Sequence, residues 1–186
     1  MKRFNLLLVM ALFGLAAHAQ EVKFPALDTS PADILYYPLN ATKVKNGEEL
    51  QPLIKVAYSR PSLKGRTIFG QLEVFGKVWR VGANENTEIR FFKNAVIGGK
   101  KISKGTYSLF AIPEKDSWTM IINKQTDRWG AFTYDEKKDV VRVKVPVKAL
   151  AKTVEALSMT FTPAPEGANL IIGWEKTSVE VPVTIK

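Results

Sequence analysis

Leu157-Ser158-Met159-Thr160-Phe161, Leu170-Ile171-Ile172-Gly173-Trp174 and Val179-Glu180-Val181-Pro182-Val183-Thr184-Ile185 each carry an apolar residue at every second position. A strand turns successive side chains to opposite faces, so each run lays one apolar stripe on one face of a sheet. The same period appears in Ile54, Val56 and Tyr58, and again in Val141, Val143 and Val145. Pro146 and Pro182 fall on the polar phase. Having no amide hydrogen to donate, they predict sheet edges or bulges at those points. Gly98-Gly99, between Ala95-Val96-Ile97 and Lys100-Lys101-Ile102, predicts a hairpin, and Lys104-Gly105 precedes a further strand from Thr106 to Ile112. Helical period is confined to Lys148 to Glu155, which reads as a turn or two of helix. Many short strands with frequent turns predict an all-β fold, a single antiparallel β-sandwich or jelly-roll-like domain over residues 53–186. Residues 20–52 hold four of the ten prolines (Pro25, Pro31, Pro38 and Pro52) without a sustained period, and read as an extended N-terminal arm.

The first residues read differently. Lys2 and Arg3 precede a charge-free run from Phe4 to Ala17, followed by His18-Ala19. That is the pattern of a secretory signal peptide over residues 1–19, with cleavage expected between Ala19 and Gln20. The run of 14 residues is short of the roughly 20 that span a bilayer, so no transmembrane segment is expected. No Cys follows the leader to accept a lipid, and the product is expected free in the periplasm or outside the cell.

Cleavage changes the composition. Of 186 residues 167 remain; the single His leaves with the leader, and there is no Cys anywhere in the chain. Thiolate chemistry, His-based nucleophile pairs and ordinary zinc or copper sites are thereby excluded from the mature chain, and no cofactor or metal is implied. Formal charge falls from +9 to +7 with Lys2 and Arg3 gone. The remaining cations are scattered in ones and twos, as at Lys43/Lys45, Lys100/Lys101/Lys104 and Lys137/Lys138. A nucleic-acid groove would gather them on one face with aromatics between, so no nucleic-acid partner is expected. Oligomeric state is not legible. The sequence also lacks G-x-S-x-G, S-x-x-K, G-x-x-x-x-G-K and G-x-G-x-x-G.

Three strings are too specific to be generic strand and turn material: YSRPSLKGRTIFG (Tyr58 to Gly70), GKVWRVGANENTEI (Gly76 to Ile89) and KGTYSLFAIP (Lys104 to Pro113). Trp118, Asn123 and DRWGAFTYDEKKDVVRV (Asp127 to Val143) follow them. Together they resemble the domain-of-unknown-function family DUF2911, found mostly in exported bacterial proteins, over about residues 53 to 180. The resemblance implies no catalytic assignment, because the family is named for having none.

Each signature has a ligand-binding and a structural reading. Pro61 holds Arg60 extended, and Gly65 turns the chain between Lys64 and Arg66. Arg60 or Arg66 is then either a planar fork for an anion or carboxylate, or a structural arginine that satisfies carbonyls at a sheet edge. Trp79 and Arg80 would face opposite ways on a regular strand. Arg80, Asn84 and Glu85 either hold a polar ligand or pin the loop through a buried Arg–Glu pair, with Asn84, Glu85 and Asn86 capping the turn. Arg128, Trp129, Phe132, Tyr134 and Asp135 share a stretch without apolar alternation; its aromatics either stack on a sugar or fold under as a lid. A calcium site from Asp135, Glu136 and Asp139 lacks the spacing of a twelve-residue loop. The leading expectation is a non-catalytic module binding a small polar ligand, glycan or partner through these loops. The alternatives are a His-free hydrolase working through paired carboxylates, Glu85 with Asp127, Asp135 or Asp139, and a structural envelope protein without a ligand.

Overall fold

A computed structural model describes residues 21–41, 43, 47 and 50–186 of the chain. The expected leader and its cleavage site lie outside the described residues. Nine strands follow in order: β1 (Ala32–Tyr37), β2 (Ile54–Ser59), β3 (Thr87–Phe91), β4 (Ala95–Ile97), β5 (Lys100–Ile102), β6 (Gly105–Pro113), β7 (Ser117–Asn123), β8 (Asp139–Ala164) and β9 (Gly167–Ile185). The one helical element among the described residues is a 3₁₀ turn, Glu136–Lys138. Neighbouring strands are antiparallel throughout, in the order β1-β2-β3-β6-β7-β8-β9-β4-β5. Among the described residues no helix is long and apolar enough to cross a membrane.

The period-two stripes are the core. Ile54, Val56 and Tyr58 of β2, Leu157, Met159 and Phe161 of β8, and Leu170, Ile172 and Trp174 of β9 all belong to one buried cluster. The fold is all-β, as the alternation predicts. The arm contributes to it as well: Ala32–Tyr37 within residues 20–52 pairs along β2, so an edge strand comes from a stretch that shows no period.

β8 makes the arrangement sandwich-like. Its first part pairs with β7 as far as Pro146 against Ser117, and from Val147 it pairs with β9 instead. A residue without an N–H suits the point where one ladder ends and another begins. Pro182 lies similarly between the β8 ladder, which ends at Val179, and the β4 ladder at Thr184. The sheet thus folds over, and its far edge returns: the Tyr37 hydroxyl of β1 donates to the Gly167 carbonyl at the β8–β9 turn, 2.8 Å away, and the Tyr37 ring packs on Phe161.

Lys148 to Glu155 is not helical but part of β8. Ala149 faces Thr177 and Val154 faces Glu175, so β8 takes five steps where β9 takes two. Such a bulge destroys the alternation from which a strand would be read.

Four aromatic rings fill the space between the two halves. Trp79 lies 5.6 Å edge-to-face from Trp118 of β7 and 6.1 Å stacked from Trp174 of β9, with Phe69 4.8 Å from Trp118. Trp174→Ala therefore removes a fully buried ring shared by both halves. It is expected to lower unfolding free energy by about 3–5 kcal/mol in urea titration. A loss below about 1 kcal/mol would show that the cluster does not hold the halves together.

Candidate functional site

β2 stops at Ser59 because Pro61 cannot continue the ladder, and the chain then pairs with β8. Leu63 N–H donates to the Glu155 carbonyl (2.8 Å), and Leu157 N–H donates to the Pro61 carbonyl (2.9 Å). Arg60 is fully engaged here. Its guanidinium donates to the Leu157 carbonyl at 3.0 Å, to Asp33 Oδ2 at 2.9 Å and to Ser158 Oγ at 2.8 Å. It takes the structural role, tying β1 to β8. Lys64 and Gly65 both have positive φ (49° and 71°), which reverses the chain at once. Arg66 is thereby folded back, donating to the Leu63 and Ser62 carbonyls at 2.9 and 2.7 Å, which fixes its guanidinium.

The second signature is not a regular strand. Val81 and Asn84 sit at φ 56° and 58°, and the Thr87 hydroxyl donates to the Val81 carbonyl at 2.8 Å. The Trp79 indole N–H and Arg80 Nε both donate to the Gly82 carbonyl, each at 3.3 Å. Trp79 then turns into the aromatic cluster while Arg80 is half-buried, so Trp79 belongs to the core. Glu85 is exposed and forms no ion pair with Arg80 among the described residues. The loop is pinned by Asn86, which is buried. Its Nδ2 donates to Ser108 Oγ at 2.6 Å, its Oδ1 accepts from Arg128 N–H at 2.8 Å, and its own N–H donates to the Arg128 carbonyl at 2.9 Å.

Lys64, Arg66 and Arg80 line one cavity of about 260 Å³ together with Glu73, Ser62 and Trp174. Two separate signatures therefore deliver three cations to the same hollow. Glu73 is held there by its own backbone: its N–H donates to the Ile68 carbonyl and its carbonyl accepts from Gly70 N–H, both at 2.9 Å. Burial pushes its carboxyl up to about 7, against the opposing pull of Arg80 and Arg66. Sequence reasoning missed Glu73, which lies between Gly70 and Gly76 in a stretch without period. Only the walls supplied by distant residues distinguish it from other acids.

The aromatic segment divides. Trp129 and Phe132 point outward, 61% and 82% exposed. Tyr134 folds under, packing edge-to-face on Phe110 at 5.2 Å. Its hydroxyl donates to Asp139 Oδ2 (2.6 Å) and accepts from Arg142 (2.7 Å); burial, then the bond to Asp139, pushes it up to about 12. Asp135 caps the 3₁₀ turn by accepting from Lys137 N–H at 3.0 Å. Asp139 accepts from Asn123, Tyr134 and Arg142. Among the described residues no three acidic side chains converge so as to hold a metal ion. Glu85, Glu88 and Asp127 line a second cavity of about 250 Å³, which neither Asp135 nor Asp139 lines.

A family model described as "Protein of unknown function (DUF2911)" matches residues 40–183, most of the chain. Neither curated proteins nor solved structures include a match to it.

The raised Glu73 carboxyl has a measurable sign. Because its folded value of about 7 exceeds the ordinary 4.5, the folded state keeps a proton that the unfolded chain releases. The stability this contributes is complete below pH 4.5 and is lost as pH rises through 7. Glu73→Gln stays neutral at every pH. Its melting midpoint relative to the parent is expected to climb between about pH 4 and about pH 8, and a difference that does not change with pH would refute the burial of a proton at this position.

Proposed function

The chain belongs to the DUF2911 family, which brings no assigned activity, and we propose that it is a binding protein for a small anion, a carboxylate or phosphate, held by Lys64, Arg66 and Arg80. The observation that carries this is their shared cavity with Glu73. Guanidinium groups present paired donors in a fixed fork that matches two oxygens of a carboxylate or phosphate, and Lys64 adds a point charge. Arg66 and Arg80 are each braced on backbone carbonyls, so little side-chain freedom is lost when an anion arrives.

Glu73 gives the cavity a second setting. Protonated, it offers a hydrogen to the anion and leaves three cations uncompensated. Ionised, it is itself the anion that Arg66 and Arg80 face. Affinity therefore falls as pH rises through about 7. Binding rather than turnover is the simpler use of this hollow, because Glu73 is the one carboxylate in its lining, where paired-carboxylate hydrolysis needs two. With the leader read in its sequence, the protein works outside the cytoplasm, in the periplasm or beyond.

Calorimetric titration of the protein with acetate, citrate and inorganic phosphate tests this. Lys64→Ala is expected to weaken binding about fivefold, and Arg80→Lys, which keeps charge but loses the fork, about tenfold or more. Arg60→Ala should lower the melting midpoint while leaving affinity unchanged. Parent-like binding by both Lys64→Ala and Arg80→Lys would remove the cavity from consideration.

A further inference from the structure

A second hollow opens on the face of β2 turned away from the core. The core takes Val56 and Tyr58, so Ala57 and Ser59 point to the other face. Ala57 stands opposite Glu88 of β3, and Ser59 stands opposite Ala32 of β1. Residues paired across a ladder share a face, so these four side chains look the same way. All four line the cavity of about 250 Å³ to which Glu85 and Asp127 also belong.

Its charge is one-sided. Glu85, Glu88 and Asp127 line it and no Lys or Arg does, in a chain whose formal charge is +9. None of the three acids forms an ion pair among the described residues. Ser59 adds a different group. It is 7% exposed, yet its hydroxyl makes no hydrogen bond among the described residues, where the one sealed side-chain nitrogen or oxygen without a partner is the Trp118 indole nitrogen. The Ser59 hydroxyl is therefore reached from the cavity side, and it completes a set of oxygen acceptors with the three carboxylates.

From this placement we infer that the cavity binds an aliphatic diamine or polyamine. An ammonium group carries only donors, the complement of carboxylate and hydroxyl oxygens. The acids do not converge closely enough to hold a metal ion among the described residues, so one compact cation meets only part of them. Charges spaced along a methylene chain reach separately placed carboxylates one by one. The small side chains of Ala32 and Ala57 leave apolar wall for the methylenes between those charges. No residue lines both this cavity and the one that holds Lys64, Arg66 and Arg80, so the inference stands apart from the anion reading.

Calorimetric titration of the protein with diaminobutane, butylamine and magnesium chloride tests it. The diamine should bind about tenfold more tightly than butylamine. Magnesium at the same concentration should not displace it. Glu88→Gln and Asp127→Asn should each weaken diamine binding about fivefold. Asparagine is at ease at the left-handed φ of 57° that Asp127 adopts, so that variant keeps the loop. Ser59→Ala separates binding from folding, because a hydroxyl without a protein partner is removed at no cost in stability. It should hold the parent's melting midpoint while weakening the diamine about threefold. The inference is overturned if the diamine does not bind, if butylamine binds as tightly, if magnesium displaces the diamine, or if the three variants all bind it as the parent does.

Discussion

β8 belongs to two ladders, and the rest of the molecule follows from the change of partner. A strand edge satisfies its N–H and C=O groups against one neighbour at a time. When β8 leaves β7 at Pro146 and takes up β9 at Val147, β9 and, through it, β4 and β5 are committed to the second half of the sheet. The two halves must then cover one another's apolar stripes, and the rings of Trp79, Trp118, Trp174 and Phe69 lie where they meet. Proline at the handover adds a missing donor at the one place where a donor would have had no ladder to join.

The bulge further along β8 places the site. Where β9 falls out of step between Val154 and Ser158, the other edge of β8 takes Pro61 to Leu63 as a short extra partner. The Glu155 carbonyl there accepts from both Leu63 N–H and the Trp174 indole. Lys64 and Arg66 are thus set one and three residues beyond the Leu63 backbone anchor, in a hollow that Trp174 also lines. From the opposite side, the left-handed residues Val81 and Asn84 turn Arg80 toward the same hollow. A cavity of cations arises where two irregularities in strand pairing meet, which is where side chains can be aimed off the sheet normal.

Much of this was legible before any coordinates. Period two gave away the strands of the second half because each buries one face only, and Lys64, Arg66 and Arg80 stood out as cations beside turn residues. What was not legible depended on distance in sequence. Arg60 looks no different from Arg66 until Asp33, Leu157 and Ser158 close around it. Tyr134 looks like a platform until Phe110 and Asp139 draw it under. The bulge of β8 mimics a helical turn because its extra residues break the alternation, and β1 has no alternation since it is an edge strand with little to bury. Glu73 shows the limit most plainly, as its chemistry is set by its walls.

The pair of hydrogen bonds between Asn86 and Arg128, with Gly130 on Asn84 and Trp129 on Glu85, makes two surface loops into one mechanical piece. Surface loops ordinarily accept insertions independently. Here a residue added to 83–86 shifts the register against 127–130 and leaves buried Asn86 without its partner, so length can change only in both together. For protein engineering the transferable unit is accordingly a discontinuous cassette, residues 79–87 with 127–134, exchanged whole between related scaffolds; grafting either half by itself would import a broken interface.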